Sequence, residues 1–356
     1  MRPVLGRLLA IVAGLLVTAL VAAGVTLAIL RIESRTNPQQ VNLQPGITLT
    51  QDSAIVQAAA KARPAVVSVV TEHQPVIVRG SGYFATSDGY IVTNIGVVAG
   101  SRGLSVLIPG DARVHTARLV DYDCQTGVAV IKIDQVSGLP TLSFADPAAL
   151  VQGQVIVAVA GPVEGGAVVP GYVSAMHRIA LSRDPVNEGR MLQFSDTIQT
   201  NANIDDGTSG GPIVNVSSQV VGIAMDSPSS AAGFGLNVAD IQDVVNQILS
   251  TGQVVVASIG ATADDITPEN AVLSDLPEGA QLVALEKGGP AAVAGLQAGD
   301  VITQVDDVKL DAAHPLSLLL RSRFHPRQRV TVTYSRGGTT STQAELTLGS
   351  QHPSCS

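Results

Sequence analysis

Short β-type runs recur through the middle of the chain and constrain its fold more than any other feature. The runs have about 5–15 residues, are rich in Val and Ile, and end at Gly, Pro, Asn or Asp; examples are AVVSVV, GYIVTN, VAVIKID and VIVAVAG. This punctuation is typical of an all-β barrel or sandwich. Aromatic residues make up only 3% of the chain and Trp is absent. We therefore expect a mainly β fold whose core consists of Val, Ile, Leu and Ala.

The N-terminal region predicts a membrane anchor. Residues 8–30 contain no charged residue, and at about 1.5 Å per residue they can cross a hydrocarbon core of about 30 Å. We expect an uncleaved, single-pass transmembrane signal anchor here, after a cytoplasmic N-terminus at 1–7 and before a polar linker at 31–50. A signal peptide cleaved after Val21-Ala22-Ala23 is the alternative. Either segment would place the globular part outside the cytoplasm, and the anchor would hold it at the cell membrane.

A helical pattern divides the rest of the chain. Apolar residues recur there at intervals of three and four: Val238, Ile241, Val244, Val245 and Ile248. Gly252 follows and predicts the end of the helix. We expect one domain over 51–252, a second over 253–349 and a tail at 350–356. The second domain contains several short strands and two short helices, in PAAVAG and PLSLLLRSR.

Composition excludes several function classes. The net charge of -8 gives no attraction for nucleic acid, so we expect no nucleic-acid partner. Two cysteines, Cys124 and Cys355, are too few for a disulfide framework or a four-thiolate zinc site. Their pairing with each other stays open. No group of His, Cys, Asp and Glu has the spacing of a metal site, so we expect no metal and no cofactor.

The strongest local motif is Gly207-Thr208-Ser209-Gly210-Gly211-Pro212. A serine between glycines on a tight turn allows the backbone to approach a substrate carbonyl closely. The N–H groups of Gly207 and Ser209 can then converge as an oxyanion hole. The motif alone is equally consistent with an ordinary glycine turn.

The surrounding segments resemble the HtrA/Deg family of membrane-anchored, trypsin-like serine proteases. The resemblance covers about residues 50–349 and is carried by four segments in the family's order: 80–98, 121–133, 192–215 and 285–302. It implies a chymotrypsin-type double β-barrel over 52–250 and a C-terminal PDZ domain over 253–349. It also implies peptides or unfolded exported proteins as partners, extracytoplasmic protein quality control, and assembly as a homo- or hetero-trimer.

Two residues of the catalytic triad are missing at the positions where the resemblance places them. The family's histidine lies in Thr-Asn-x-His-Val, which is Thr93–Val97 here with Gly96 in its place. The acid lies in Asp-x-x-Thr-Asp-Leu-Ala-Val, which is Asp123–Val130 here with Gly127 in its place. Only Ser209 remains. Removal of the base from a serine protease costs about 10⁶ in turnover, or roughly 8 kcal/mol. Restoring both groups by Gly96→His with Gly127→Asp is expected to raise proteolysis.

Other residues are poor substitutes for the missing base. His115 lies in a strand-like run and is expected on a strand surface, whereas His177 lies between strands of the second barrel and could approach the cleft. Lys132 is expected in a core strand of the first barrel, which argues against a Ser-Lys pair.

Four aspartates flank the lost groups. Asp121 and Asp123 precede the acid position and are expected to cap a turn. Asp205 and Asp206 precede Gly207. They are expected in a solvated turn, although carboxylates that faced inward would oppose an oxyanion.

The second domain carries the features of a peptide-binding module. The resemblance assigns carboxylate capture to Ser258-Ile259-Gly260-Ala261, where Ser258 replaces the family's aromatic or bulky residue. In the helix that closes the groove, leucines are expected to face the core: Leu316, Leu319 and Leu320. Nearby arginines are expected on a solvated face: Arg321, Arg323, Arg327 and Arg329.

Three hypotheses follow. The first is a membrane-tethered pseudoprotease that binds peptides or protein C-termini through its PDZ domain. The second is an active serine endopeptidase that uses Ser209 with a base from elsewhere. The third is a structural subunit in a complex with an active paralogue.

Overall fold

The computed structural model describes residues 18–24, 51–73, 76–184, 190–227, 232–311, 314–337 and 340–353. The chain forms two compact units, 1–50 and 51–356. In the first unit residues 18–24 are helical, and the rest of the predicted anchor and linker lies outside the described residues. Within the described ranges, no helix has both the length and the apolar character that a bilayer crossing requires.

The first barrel follows helix α1 (Gln51–Ala62) and a 3-10 turn (Arg63–Ala65). Its strands are β1 (Val66–His73), β2 (Val76–Phe84), β3 (Tyr90–Asn94), β4 (Leu104–Leu107), β5 (Val114–Tyr122) and β6 (Val128–Ile133). They close in the order β1-β2-β3-β6-β5-β4. A short helix, α2 (Ile95–Val98), links β3 to β4. All residues of β6 are buried, which confirms the predicted core position of Lys132.

The second barrel repeats this topology. Its strands are β7 (Val155–Val159), β8 (Val168–Arg183), β9 (Met191–Thr200), β10 (Pro212–Val214), β11 (Val220–Met225) and β12 (Gly233–Asn237). They close in the order β10-β11-β12-β9-β8-β7. Two 3-10 turns, Pro147–Ala149 and Pro162–Glu164, flank β7. The predicted double β-barrel is therefore confirmed.

Helix α3 (Val238–Thr251) follows the second barrel and confirms the predicted periodicity. The Asn237 side chain accepts a hydrogen bond from the Ala239 N–H at the first turn, and Gly252 ends the helix with φ of 81°. That left-handed conformation favours glycine because it has no Cβ. The predicted apolar face is buried throughout: Val238, Ile241, Val244, Val245 and Ile248.

The described residues of the C-terminal domain form two sheets and three short helices. β13 (Val256–Ser258) pairs with β20 (Gly349–Gln351). The larger sheet contains β14 (Ala261–Ile266), β15 (Gly279–Leu285), β16 (Val301–Val305), β17 (Val308–Lys309), β18 (Arg329–Arg336) and β19 (Thr340–Thr347). Its order is β14-β15-β16-β18-β19, with β17 on β16. The helices are α4 (Pro268–Ser274), α5 (Pro290–Val293) and α6 (Leu316–Arg323).

Helix α6 packs on this sheet as the sequence predicts, with one exception. Leu316, Leu319 and Leu320 are all buried. Arg321, however, does not lie on a solvated face. Its side chain is 9% exposed and forms an ion pair with Asp123, whose side chain is fully buried. The prediction was wrong for Arg321 because its partner belongs to a different domain, which no local pattern reveals.

Asp123 lies in the 121–127 segment, hereafter the acid loop because it contains the degenerate acid position. Asp123 Oδ1 accepts hydrogen bonds from the N–H groups of Gln125 and Thr126 at 2.8 and 3.4 Å. The expected turn cap is thus confirmed for Asp123, whereas the expectation is wrong for Asp121, whose side chain contacts Val254 and His352 instead. Its other oxygen, Oδ2, faces Arg321 Nη2.

Further contacts join the C-terminal domain to the acid loop. Asp121 Oδ2 accepts a hydrogen bond from the Val254 N–H at 2.6 Å, and Asp121 Oδ1 lies 2.8 Å from His352 Nε2. Cys124 is disulfide-bonded, and Cys355 lies outside the described residues. The loop that would carry a catalytic acid therefore serves as a docking site for the C-terminal domain.

Candidate active site

Ser209 lies on a turn between β9 and β10, facing the first barrel, and is 7% exposed. Its carbonyl accepts a hydrogen bond from the Ser81 N–H at 2.8 Å. The next residue, Gly210, has φ of 83°, and a Cβ added there would lie 2.3 Å from the Ser81 carbonyl oxygen. Glycine is therefore required after the serine, because both the conformation and the close approach of β2 exclude a side chain.

Asn94 fixes the direction of the Ser209 hydroxyl. Asn94 Oδ1 accepts a hydrogen bond from the Val97 N–H at 3.0 Å, and Nδ2 donates to the Ala224 carbonyl at 3.0 Å. These two contacts set the orientation of the amide. Asn94 Nδ2 therefore also donates to Ser209 Oγ, at 2.9 Å. In this contact Ser209 Oγ is the acceptor, so the Asn94 amide N–H cannot take the hydroxyl proton.

The oxyanion hole is not formed in this structure. The Ser209 N–H donates to the Asp205 carbonyl at 2.9 Å, as in a turn of helix. Asp205 Oδ1 also accepts from the N–H and Oγ1 of Thr208, at 2.8 and 2.6 Å. The predicted convergence of the Gly207 and Ser209 N–H groups is therefore not observed, because the Asp205 carbonyl takes the Ser209 donor.

Gly96 lies in helix α2 beside Ser209, with open space around it. A Cβ added at Gly96 would meet only Asn94 Oδ1, at 3.3 Å. The same position in the family carries the catalytic imidazole, according to the resemblance. The backbone here can accept a side chain with only a small adjustment of Asn94.

Gly127 differs from Gly96. It has φ of 78°, and an added Cβ would lie 2.8 Å from Phe194 Cε1 and 3.3 Å from Leu236 Cδ1. Phe194 is 2% exposed and belongs to the core. We therefore expect Gly127→Asp to be poorly accommodated, since the Phe194 ring occupies the space where the side chain would begin.

The described histidine side chains do not replace the base. His177 Nδ1 lies 2.9 Å from Asp196 Oδ1, with the side chain 73% exposed. His115 Nε2 lies 3.0 Å from Asp111 Oδ2 on strand β5. His314 and His352 likewise contact aspartates. Among the side chains that the structure describes, no imidazole lines the cavity around Ser209.

A cavity of about 320 Å³ opens beside Ser209, and both degenerate glycines line it. Its wall contains apolar, amide and charged groups: Val78, Arg79, Asn94, Ile95, Gly96, Val97, Gly127, Ser182, Arg183, Asp184, Phe194, Asp206, Ser209, Met225, Asp226 and Leu236. Asp205 and Asp206 are both exposed, as expected for a solvated turn, and Asp206 also lines the cavity. Burial raises the pKa of Asp226, and the nearby Asp206 carboxylate raises it further.

In the C-terminal domain, the expected carboxylate-binding loop has an internal partner. The Gly260 N–H donates to Ser258 Oγ at 3.0 Å, and Ser258 Oγ donates to Gln351 Oε1 at 2.7 Å. Gly260 has φ of 68° and its Cβ would lie 2.6 Å from Pro290 Cδ. Ile259 is buried, and Ala261 begins β14. Ser258 therefore occupies a backbone donor that a peptide carboxylate would need.

Comparison with known proteins agrees with this architecture. The Trypsin-like peptidase domain family matches residues 80–223, and the PDZ domain family matches residues 257–347. The fold and these matches define a trypsin-like peptidase domain followed by a PDZ domain.

Curated relatives identify the family. The chain is 32% identical over 292 residues to "Serine protease Do-like HtrA" of Lactococcus lactis subsp. cremoris, covering 76% of this chain and 69% of that one. It is 30% identical over 330 residues to "Serine protease PepD" of Mycobacterium tuberculosis, covering 86% and 67%. The chain belongs to the HtrA family of serine proteases.

A third relative is longer than this chain. The chain is 35% identical over 267 residues to "Probable periplasmic serine endoprotease DegP-like" of Halomonas elongata, covering 73% of this chain and 54% of that one. This chain thus spans about half the length of that relative and of its DegP-like counterparts from two Chlamydia species.

Solved structures share the fold. "HtrA-type protease AlgW with decapeptide" has a TM-score of 0.66 and 27% identity, covering 84% of this chain and 99% of that one. "Crystal structure of the serine endoprotease from Yersinia pestis" has a TM-score of 0.62 and 27% identity, covering 83% and 98%.

Proposed function

We propose that this HtrA-family protein is a pseudoprotease whose barrel domain keeps the protease fold and whose PDZ domain binds peptides or protein C-termini. The observation that carries the proposal is the environment of Ser209. Its hydroxyl oxygen accepts a hydrogen bond from Asn94, and no described imidazole lines the cavity. A serine hydroxyl is a weak nucleophile unless an adjacent base takes its proton.

The size of the expected loss in rate supports the pseudoprotease proposal. A serine protease without its base still accelerates the reaction by roughly 10³–10⁴ over the uncatalysed rate, and this remaining activity depends on the oxyanion hole and on substrate binding. Here the Ser209 N–H is already bonded to the Asp205 carbonyl. The remaining activity is therefore expected to be low even for a bound peptide.

Labelling with a fluorophosphonate tests the proposal, because this reagent reacts with activated serines. We expect slow labelling of Ser209 in the wild-type chain and no labelling in Ser209→Ala. Gly96→His supplies an imidazole at an open position. Since loss of the triad acid alone costs about 10⁴ and loss of the base about 10⁶, we expect Gly96→His to label about 10²-fold faster. Rapid, stoichiometric labelling of the wild-type Ser209 would refute the pseudoprotease.

An active serine endopeptidase is the second candidate function, and the relatives favour it, since they are named as serine proteases. In this chain it requires a base that reaches Ser209 after the turn at 205–209 rearranges. Release of casein fragments that disappears in Ser209→Ala separates the two candidates.

Peptide binding is proposed for the C-terminal domain because β14 ends the larger sheet and so presents an edge. In PDZ domains a peptide adds as a strand at such an edge, and loop N–H groups capture its carboxylate. The loop here is Ser258-Ile259-Gly260-Ala261. Its Gly260 N–H is engaged by Ser258 Oγ, so the wild-type affinity is expected to be micromolar or weaker.

Ser258→Ala is expected to strengthen peptide binding. Loss of the hydroxyl frees the Gly260 N–H for a carboxylate, and a hydrogen bond to a charged group contributes about 1.5–3 kcal/mol, or tenfold and more in affinity. Calorimetry of the whole protein with free-acid and amidated peptides measures the effect, with Ser274→Ala on α4 as the matched control. Equal affinity for free-acid and amidated peptides would instead favour the structural-subunit role.

The anchor at 8–30 and the extracytoplasmic position of the globular part belong to the same proposal. They are supported by the uncharged sequence of the anchor and by the name of the Halomonas relative, which describes that protein as periplasmic.

A further inference from the structure

The Ser209 hydroxyl has a proton without an acceptor. Ser209 Oγ accepts hydrogen bonds from Asn94 Nδ2 at 2.9 Å and from the Asp226 N–H at 3.4 Å. Within the described ranges, no group accepts a hydrogen bond from Oγ. The side chain is nonetheless nearly buried, at 7% exposure. Because Ser209 also lines a cavity, a group that enters this cavity can accept the hydrogen bond of the hydroxyl.

The space for such a partner lies next to the hydroxyl. The cavity of about 320 Å³ touches Ser209, Asn94 and Gly96, and the Gly96 wall is open apart from Asn94 Oδ1. A five-membered ring needs the volume of only a few water molecules, each about 30 Å³.

Carboxylates at the cavity can stabilise a partner that becomes cationic. Asp206 and Asp226 line it, as do Arg79 and Arg183, while Asp184 pairs with Arg190 at 3.7 Å. A carboxylate near a forming imidazolium stabilises it. Asp206 and Asp226 therefore offer this interaction at a place other than the missing acid position.

We propose that this cavity binds an imidazole ring, from a histidine of a bound peptide or free in solution, and that the ring accepts the Ser209 proton. The inference rests on the proposed function, since it applies to a chain without its own base. The protein would then be active only while an imidazole ring is bound in the cavity, because this ring supplies the missing base.

The reaction balances without any other reagent. The imidazole nitrogen takes the hydroxyl proton as Ser209 Oγ bonds to the peptide carbonyl carbon. The C–N bond then breaks, and the imidazolium returns its proton to the leaving amine. Water hydrolyses the acyl-serine in the same way, with the imidazole again as base. The turn at 205–209 must release the Ser209 N–H to bind the oxyanion.

Fluorophosphonate labelling of the full chain tests the inference, since formation of the Oγ–P bond expels fluoride and requires the same proton transfer. We expect imidazole to accelerate labelling of Ser209 by at least about tenfold, the lower end of the effect of a positioned base. The rate should saturate with imidazole concentration, because the ring binds, and should increase with pH as imidazole becomes neutral.

Matched variants locate the effect. Gly96→Leu fills the cavity and should remove the response to imidazole. Gly103→Leu places the same side chain at another glycine with open space, 3.6 Å from Glu72, and should keep the response. If Gly96→Leu does not fold, the dependence of the wild-type labelling rate on imidazole concentration still tests the inference. A rate that saturates supports a bound ring, whereas a rate that increases linearly indicates catalysis by unbound imidazole and contradicts a bound ring.

A peptide arm distinguishes the source of the ring. Peptides that differ only by His or Phe at successive positions around one bond are incubated with the chain, and cleavage is followed by mass spectrometry. Histidine-dependent cleavage that Ser209→Ala abolishes supports a substrate-borne ring, whereas a response to free imidazole alone supports the small molecule. No acceleration in either arm overturns the inference and leaves the pseudoprotease intact. Fast labelling without imidazole would overturn both.

Discussion

Arg321→Ala is expected to lower the free energy of unfolding by about 3–5 kcal/mol, because it leaves the Asp123 carboxylate buried without a counter-charge. Asp123 is fully buried and Arg321 is 9% exposed, so water cannot replace the guanidinium. Arg321 and Asp123 lie in different domains, and the variant should therefore also loosen the contact between the C-terminal domain and the acid loop. Urea unfolding and limited proteolysis between residues 252 and 256 measure the two effects.

Two control variants sharpen this prediction. Arg329→Ala removes an arginine that is 76% exposed and 4.0 Å from Glu345, and it should cost less than about 1 kcal/mol. Arg321→Met with Asp123→Asn removes both charges and keeps the Oδ1 turn cap, so it should recover most of the loss. An equal cost for Arg321→Ala and Arg329→Ala would contradict the buried ion pair.

A nearby carboxyl gives a second readout. Burial raises the pKa of Asp240 to about 7, and the Arg321 charge opposes that rise. Loss of Arg321 should raise the pKa further if the side chain stays buried. Because the folded-state pKa of Asp240 lies above its unfolded value, its ionisation reduces stability as pH increases from about 4 to 7. NMR titration of Asp240 follows this directly.

Gly127→Asp is expected to destabilise the first domain by about 2–5 kcal/mol. The residue has φ of 78°, and its Cβ would lie 2.8 Å from Phe194. A side chain in the left-handed region costs about 1–2 kcal/mol, and overpacking of a core typically costs a further 1–3 kcal/mol. Thermal unfolding compares this variant with Gly96→Asp, whose backbone is ordinary and whose space is open.

A double-mutant cycle separates the two causes. Phe194→Ala alone creates a cavity and should cost about 3–5 kcal/mol. Combined with Gly127→Asp, Phe194→Ala removes the clash. The double variant should therefore lose less free energy of unfolding than the two single variants lose in sum. Strict additivity would show that the ring is not what excludes the acid.

The sequence predicts the architecture well because the barrel strands alternate with strong turn residues and α3 has a clear apolar period. Confirmed examples are the buried strand β6 and the end of α3 at Gly252. The PDZ domain matches within the predicted boundaries. Those boundaries themselves, and the anchor, stay predictions.

The site was predicted less completely because its decisive contacts are long-range. Position 127 could be identified as degenerate, but only the fold shows that Phe194 from the second barrel fills it. The bond from the Ser209 N–H to the Asp205 carbonyl depends on one peptide orientation, which residue types do not encode. Arg321 follows three buried leucines on α6, and nothing local distinguishes it from the exposed Arg323.

The left-handed Gly127 and the ring of Phe194 also limit what single substitutions can recover. An acid at position 127 lowers stability while Phe194 remains, because the two side chains clash. A smaller residue at position 194 lowers stability while Gly127 remains, because it leaves a cavity. Each step toward an intact triad thus lowers stability before it can yield activity. Random mutation of this chain should therefore return variants that lose the serine or improve peptide affinity far more readily than variants that regain all three groups. The loss of the acid is therefore hard to reverse, and the reason is the packing of Phe194 around position 127 and not the chemistry of the serine.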